Sequence, residues 1–257
     1  MSWRIKDWQR NRILQHEGIP DQLWQKLINL RCLKGLSPDE LAHLRDCVTL
    51  FLHAKQINGA HDLVITDEMQ VIIAIQACIL ILKLDLAYYE NWVEIIVYPS
   101  EFIRDYNYAD SAGVVHHVHT TASGESWLAG PVILSWQDIA HAVDHPGHNV
   151  VIHEFAHKID MLNDGANGCP ELHPNMSAHT WYEIFSKAYR KFCQQVTRGH
   201  GLIIDPYAAE SPAEFFAVLS EVFFELPLIV KQHFPSIYEQ LALFYRQNPA
   251  ERWSQQN

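Results

Sequence analysis

The sequence predicts an α+β fold, and three observations carry that expectation. Stretches with apolar residues at three- and four-residue spacing occupy the first third of the chain and much of its second half. Between them lie short β-branched runs broken by Gly, Ser and Pro. The order is therefore helices, a small sheet, then helices, rather than the regular strand–helix alternation of a parallel α/β fold.

The elements follow in order. "PDQLWQKLINLRC" and "SPDELAHLRDCVTLFLHAKQI" read as amphipathic helices. In the second, Ser37 stands as N-cap, Pro38 at the first helical position and Glu40 three residues after the cap. "TDEMQVIIAIQACILILKL" predicts a long buried helix capped by Thr66 or Asp67. Residues up to Tyr89 thus read as helices throughout. After Tyr89 the texture changes: "WVEIIVYPSEF" is a β-branched run stopped by Pro99, and "GVVHHVHTTASGESW" and "PVILSW" read as strands joined by a turn. "VIHEFAHKID" then begins a helix that Gly165 can close after Asn163 and Asp164. Beyond the loop "NDGANGCPELHPN", helices are expected at residues 178–197, 211–226 and 234–246. The division expected is a helical N-terminal region, residues 1–89, packed on a catalytic part, residues 90–257.

Composition narrows the function classes. The chain has 257 residues, of which 48% are hydrophobic, enough for one large domain or a domain with an appendage. Its net charge of −11 argues against direct nucleic-acid binding, which needs a basic footprint to release counterions. The most apolar run, "VIIAIQACILIL", is too short to span a bilayer, and the N-terminus lacks a signal-peptide core, so no membrane association is expected. The five cysteines include no closely spaced pair, which fits a reduced, cytoplasmic protein.

The chemistry concentrates in "VIHEFAHKID". His153 and His157 lie four positions apart and so share one face of a helix, with Cβ atoms about 5 to 6 Å apart. Two imidazoles so placed are half of a tetrahedral zinc site. Glu154 projects near that face, close enough to take a proton from a metal-activated water without binding the metal. In a chain with 16 histidines such a motif can arise by chance, and a core helix whose histidines bond backbone carbonyls is the plain alternative. The apolar flanks weigh against it, because burying three ionisable groups is costly without a metal and supporting partners. A catalytic zinc needs a third protein ligand. "DPYAAESPAEFFAVLSEVFFE" offers Glu210, Glu214 and Glu221 almost equally by spacing, and Glu225 less so at the helix end. Glu214 has a bland reading as well, as the closing residue of a Ser-x-x-Glu capping box.

"HEFAHKID" followed by "DPYAAESPAEFFAVLSE" resembles the Mlc titration factor family of bacterial zinc-dependent peptidases. "YPSEF", "SGESWLAGPVILSW" and "GHNVVIHEFAHKID" are similar to the central segments of that family. The likeness runs from about residue 50 to residue 253, with the first fifty residues matching only loosely. The pairing of "HEFAH" with a later "EFFA" is also distantly similar to the catalytic domain of the lethal factor protease. The resemblance implies that His153, His157 and Glu214 bind one Zn²⁺ per chain, that Glu154 is the general base, and that Tyr207 sits at the zinc. It further implies a gluzincin-type peptidase acting on peptide substrates in an aminopeptidase-like way, and a regulatory association with the Mlc glucose repressor, which controls the sugar phosphotransferase system. A regulatory binding protein with a mainly structural zinc is the alternative. The sequence departs from the thermolysin arrangement at Val218, four residues after Glu214, where an acidic residue would orient a histidine; Asp160 or Glu221 is expected to take that part.

Other features carry blander expectations. His116, His117 and His119 fit a mixed surface strand better than a second metal site. That strand, or "PVILSW", is expected to give a sheet edge on which a peptide could pair, with Trp127 and Trp136 as candidate groove residues. Cys169 with His173 nearby raises a cysteine nucleophile, disfavoured because no orienting partner is evident.

Overall fold

The computed structural model describes residues 7–109, 115–122, 124–126, 130–142, 145–163, 165–199 and 201–254. Eleven helices and six strands run along these residues: α1 (Asp7–His16), α2 (Asp21–Leu27), α3 (Pro38–Ala54), β1 (Gln56–Gly59), α4 (Asp67–Leu80), β2 (Glu94–Tyr98), β3 (Phe102–Ala109), β4 (Val115–Ala122), β5 (Gly124–Ser126), β6 (Val132–Ser135), α5 (Trp136–His141), α6 (Val150–Asp160), α7 (Ala178–Thr197), α8 (Pro212–Glu225), α9 (Pro227–His233), α10 (Pro235–Tyr245) and α11 (Pro249–Ser254). The fold is the expected α+β mixture.

Local chemistry sets the helix starts. Ser37 and Glu40 form a reciprocal capping box, with Glu40 N–H on Ser37 Oγ at 3.2 Å and Ser37 N–H on Glu40 Oε2 at 3.0 Å. Thr66 rather than Asp67 caps α4, accepting from Met69 N. α4 is buried on nearly all sides from Ile73 to Leu80, as its uninterrupted apolar run requires. In the C-terminal third, Pro227, Pro235 and Pro249 each open a short helix, so the chain beyond α8 holds α9 and α11 in addition to the expected α10.

The main sheet has the order β1-β2-β6-β5. β1, β2 and β6 are parallel, with Ile95 opposite Val132 and Val97 opposite Leu134, all four fully buried. β5 runs antiparallel to β6 at the edge. β3 and β4 form a separate antiparallel pair. Two expectations need correction. Residues before Tyr89 are not all helical: "QING" has no apolar alternation, but its pairing with β2 makes it β1. The edge of the main sheet is not "PVILSW", because β6 lies between β2 and β5; β5 forms the edge beside α6, and the histidine strand belongs to the separate β3–β4 pair.

α6 runs through the middle of the molecule. On one side Phe155 meets Phe51, Tyr89 and Trp92, with ring centroids 5.8, 5.0 and 5.6 Å away. On another it packs against α8, whose residues from Phe215 to Glu225 are buried. α6 stops at Asp160, earlier than the glycine signal implied. Gly165 does adopt a positive φ of 99°, but within the loop beyond the helix. No helix among the described residues is long and apolar enough to cross a membrane.

Candidate active site

α6 presents His153 and His157 one turn apart, with their rings 4.8 Å apart and near-perpendicular. α8 crosses them and supplies Glu214 from its first turn. The Glu214 carboxylate does not close the capping box that its spacing allowed. Ser211 Oγ caps its backbone N–H at 3.1 Å, while its Oε2 stands 2.9 Å from His153 Nε2 and 3.3 Å from His157 Nε2. The two Nε2 atoms are 3.2 Å apart. Glu210 is exposed at the end of a preceding turn, and Glu221 lies on the far side of His153, so of the three glutamates that spacing left open only Glu214 joins both histidines.

These separations fit a metal. Donors held about 2.0–2.1 Å from a tetrahedral ion lie about 3.3–3.4 Å from one another. Three converging atoms at 2.9, 3.2 and 3.3 Å stand close to that spacing, and an ion between them would need to spread them only slightly. The donor set, two imidazoles and one carboxylate, is that of a zinc site with a position left for water or substrate.

The surroundings set the charge. His153 Nδ1 faces Glu221 Oε1 at 2.7 Å, so this nitrogen carries the hydrogen and Nε2 is left to point at the centre. Burial alone would lower the His153 pKa, but the carboxylates of Glu221 and Glu214 outweigh it and raise it well above its usual value. Burial would raise that of Glu214, yet the hydrogen bonds and charges of the two histidines hold it well below the usual carboxylate range. Of the two acids expected to orient a histidine, Glu221 does so. Asp160 instead accepts the Gly168 N–H at 2.7 Å and pins the loop after α6. Val218 is simply core.

Glu154 is 3% exposed and lies under β5. A Cβ placed on Gly124 would come 2.4 Å from Glu154 Oε1, so the edge strand approaches the side chain as closely as a glycine permits. Tyr207 sits on a 3-10 turn, Pro206–Ala209, capped by Asp205, whose Oδ1 accepts the Tyr207 N–H at 2.8 Å. Its ring centroid is 6.0 Å from that of His153, and 38% of the residue is exposed. Lys158, one turn after Glu154, reaches Gly130 O at 2.9 Å, just before β6.

Other expected features stay apart from this site. His173 Nε2 donates to the Phe244 carbonyl at 2.8 Å and its ring stacks on the Phe244 ring, and the Cys169 thiol is raised in pKa by burial and by Asp160, so the two form no nucleophilic pair. Trp136 packs against the core at the start of α5. Trp127 and the side chains of His116, His117 and His119 lie outside the described residues. Sequence reasoning passed over Gly124 and Asn149, and weighed Glu225 only as a weaker ligand candidate. Only Asn149 left a signal, as an N-cap residue type directly before the apolar run of α6.

A family model described as glucose-regulated metallo-peptidase M90 matches residues 5–246. A Synechocystis sp. protein without an assigned role is 36% identical over 95% of this chain and 90% of its own length. Mlc titration factor A of Yersinia enterocolitica is 35% identical over 89% of this chain and 86% of its length. That of Salmonella arizonae is 34% identical over 95% and 97%.

Proposed function

The chain belongs to the glucose-regulated M90 metallopeptidase family, and from that premise we propose that it is a gluzincin-type zinc peptidase with aminopeptidase-like action on peptides. The observation that carries this reading is the convergence of His153 Nε2, His157 Nε2 and Glu214 Oε2 beside the buried carboxylate of Glu154. Zinc held by those three side chains supplies Lewis-acid polarisation of the scissile carbonyl and of water. The chain's own groups do the rest. Glu154 takes the proton of the attacking water and gives it to the departing amine. Tyr207 donates a hydrogen bond to the oxygen on which negative charge develops. Glu221 fixes the tautomer and direction of His153. β5, the edge strand of the main sheet beside Glu154, is where an extended peptide would pair. Five unpaired cysteines support a cytoplasmic setting.

The curated relatives are named for titration of Mlc, and on that ground we infer a regulatory role through binding the Mlc repressor. Glu154→Gln separates the two activities. The variant is expected to keep one stoichiometric zinc and the fold while losing hydrolysis by about 10²- to 10⁴-fold. Repressor capture should survive. Undiminished turnover rules out Glu154 as the base. Zinc bound equally well by His153→Ala would overturn the metal site.

A further inference from the structure

The first turn of α6, which carries His153, is gripped by two acids from α8. Glu221 and Glu225 lie four residues apart on one face of that helix, and both are buried, Glu225 with 5% exposed. Two neighbouring buried carboxylates repel each other unless donors stand between them. Asn149 supplies the donors. It is 1% exposed, and its two side-chain groups and its backbone N–H each have a separate partner. Its Oδ1 accepts the Ile152 N–H at 3.0 Å and caps α6. Its backbone N–H donates to Glu221 Oε2 at 2.6 Å, and its Nδ2 donates to Glu225 Oε1 at 3.1 Å. The other oxygen of Glu221 faces His153 Nδ1, and Glu225 Oε2 lies 3.8 Å from Arg31 Nε in the turn between α2 and α3. One continuous chain of contacts thus runs Arg31–Glu225–Asn149–Glu221–His153.

Any good N-cap residue would serve α6, but few could serve the chain of contacts. Asp caps as well as Asn yet has no N–H for Glu225 and adds a third carboxylate. Ser caps with a shorter arm. Asn alone of the common caps combines an acceptor for Ile152 with a donor for Glu225.

We propose that Asn149 and Glu225 are positioning residues for the peptidase centre: Asn149 couples the cap of α6 to both acids of α8, and Glu225, anchored at Arg31, holds Asn149 so that Glu221 meets His153 Nδ1. This rests on the zinc reading above. The clamp ties metal-ligand geometry to the N-terminal region, which contributes no ligand.

The test is Asn149→Asp, which keeps the cap. Zinc affinity is measured by chelator competition, and the imidazole nitrogens of His153 are followed by NMR in the metal-free chain. The clamp predicts about 10-fold weaker zinc binding and a changed His153 Nδ1 signal. An added negative charge acting alone predicts tighter zinc, and a pure cap predicts no change; either result overturns the proposal. Glu225→Ala should weaken zinc and lower kcat with KM little changed, and Glu225→Gln, which keeps the acceptor for Asn149, should recover most of the loss. Equal losses in the Ala and Gln variants would also overturn it. If the native chain bound no zinc, the zinc reading would fail, while the His153 signal in Asn149→Asp would still decide the clamp.

Discussion

At the scale of single residues, Gly124 and Glu154 define how closely the sheet edge approaches the proposed general base. A Cβ on Gly124 would meet Oε1, Cγ and Cδ of Glu154 at 2.4, 2.6 and 2.8 Å. The neighbour is the far part of a side chain, so Gly124→Ala can be accommodated by turning Glu154 aside rather than by unfolding. Such a displacement of about 1 Å costs on the order of 100-fold in rate. The variant is therefore expected to bind zinc as the native protein does and to lose about 100-fold in kcat; unchanged kcat in a folded, zinc-loaded variant would show that Glu154 keeps its place some other way. Gly124 also marks where legibility ends for single residues. His153, Glu154 and His157 are readable because their relation is local, one helical turn. Glu214 is not readable from spacing, since Glu210 and Glu221 satisfy the same pattern; the distinction lies in which residue α8 turns toward α6. Gly124 leaves no local mark, because what it avoids is thirty residues away.

At the scale of elements, Lys55 shows a polar group holding a strand that pattern reading misses. It is the residue that ends α3, and its Nζ donates to the carbonyls of Tyr89 and Trp92, both at 2.5 Å, just before β2. The ammonium also lies 3.6 Å from the Trp92 ring centroid. Lys55 therefore links the start of β1 to the approach of β2, and the four residues of β1 owe their conformation to that partner rather than to an alternation of their own. Burial, with Lys158 adding repulsion, pulls the Lys55 pKa down to about 7. Between pH 7 and the usual lysine range, about 10.4, the unfolded chain then binds a proton that the folded chain does not. Stability from this group therefore rises with pH across that window and is least at and below pH 7. Urea unfolding of the native chain and of Lys55→Met should show the native chain gaining on the variant from pH 7 to pH 10. A constant difference would mean that Lys55 stays charged in the fold. The starts of α3 and α4, by contrast, are legible, because the caps Ser37 and Thr66 are written beside the apolar pattern they start.

At the scale of the whole molecule, the proposed metal site joins two helices that the sequence separates by more than fifty residues, and the core around them is shared. β1, before Tyr89, pairs with β2 after it, and Phe51 of α3 packs on Phe155 of α6. We propose on this ground that residues 1–89 are packed on residues 90–257 as a support for the site and are not separable from it. Metal binding should then be felt by global stability, since an ion that binds only the folded chain stabilises all that unfolds with the site. The pH dependence follows from the donors. Without metal, His153 between Glu214 and Glu221 keeps its proton well above the usual histidine pKa, and that pairing contributes stability fully below about pH 6.5, lost as pH rises through the elevated value. Glu214, held low, stays ionised from its ordinary range upward and contributes no change there. Zinc must displace the His153 proton, so its binding strengthens as pH rises while the metal-free chain weakens. The gap in Tm between zinc-loaded and chelator-treated protein should therefore widen from pH 5.5 to pH 8. His153→Gln, which lacks that proton, should bind zinc more weakly and lose most of the widening. A gap that stays level in the native chain would mean that the ion is held by groups other than His153, and the coupling of α6 to α8 through it would have to be given up.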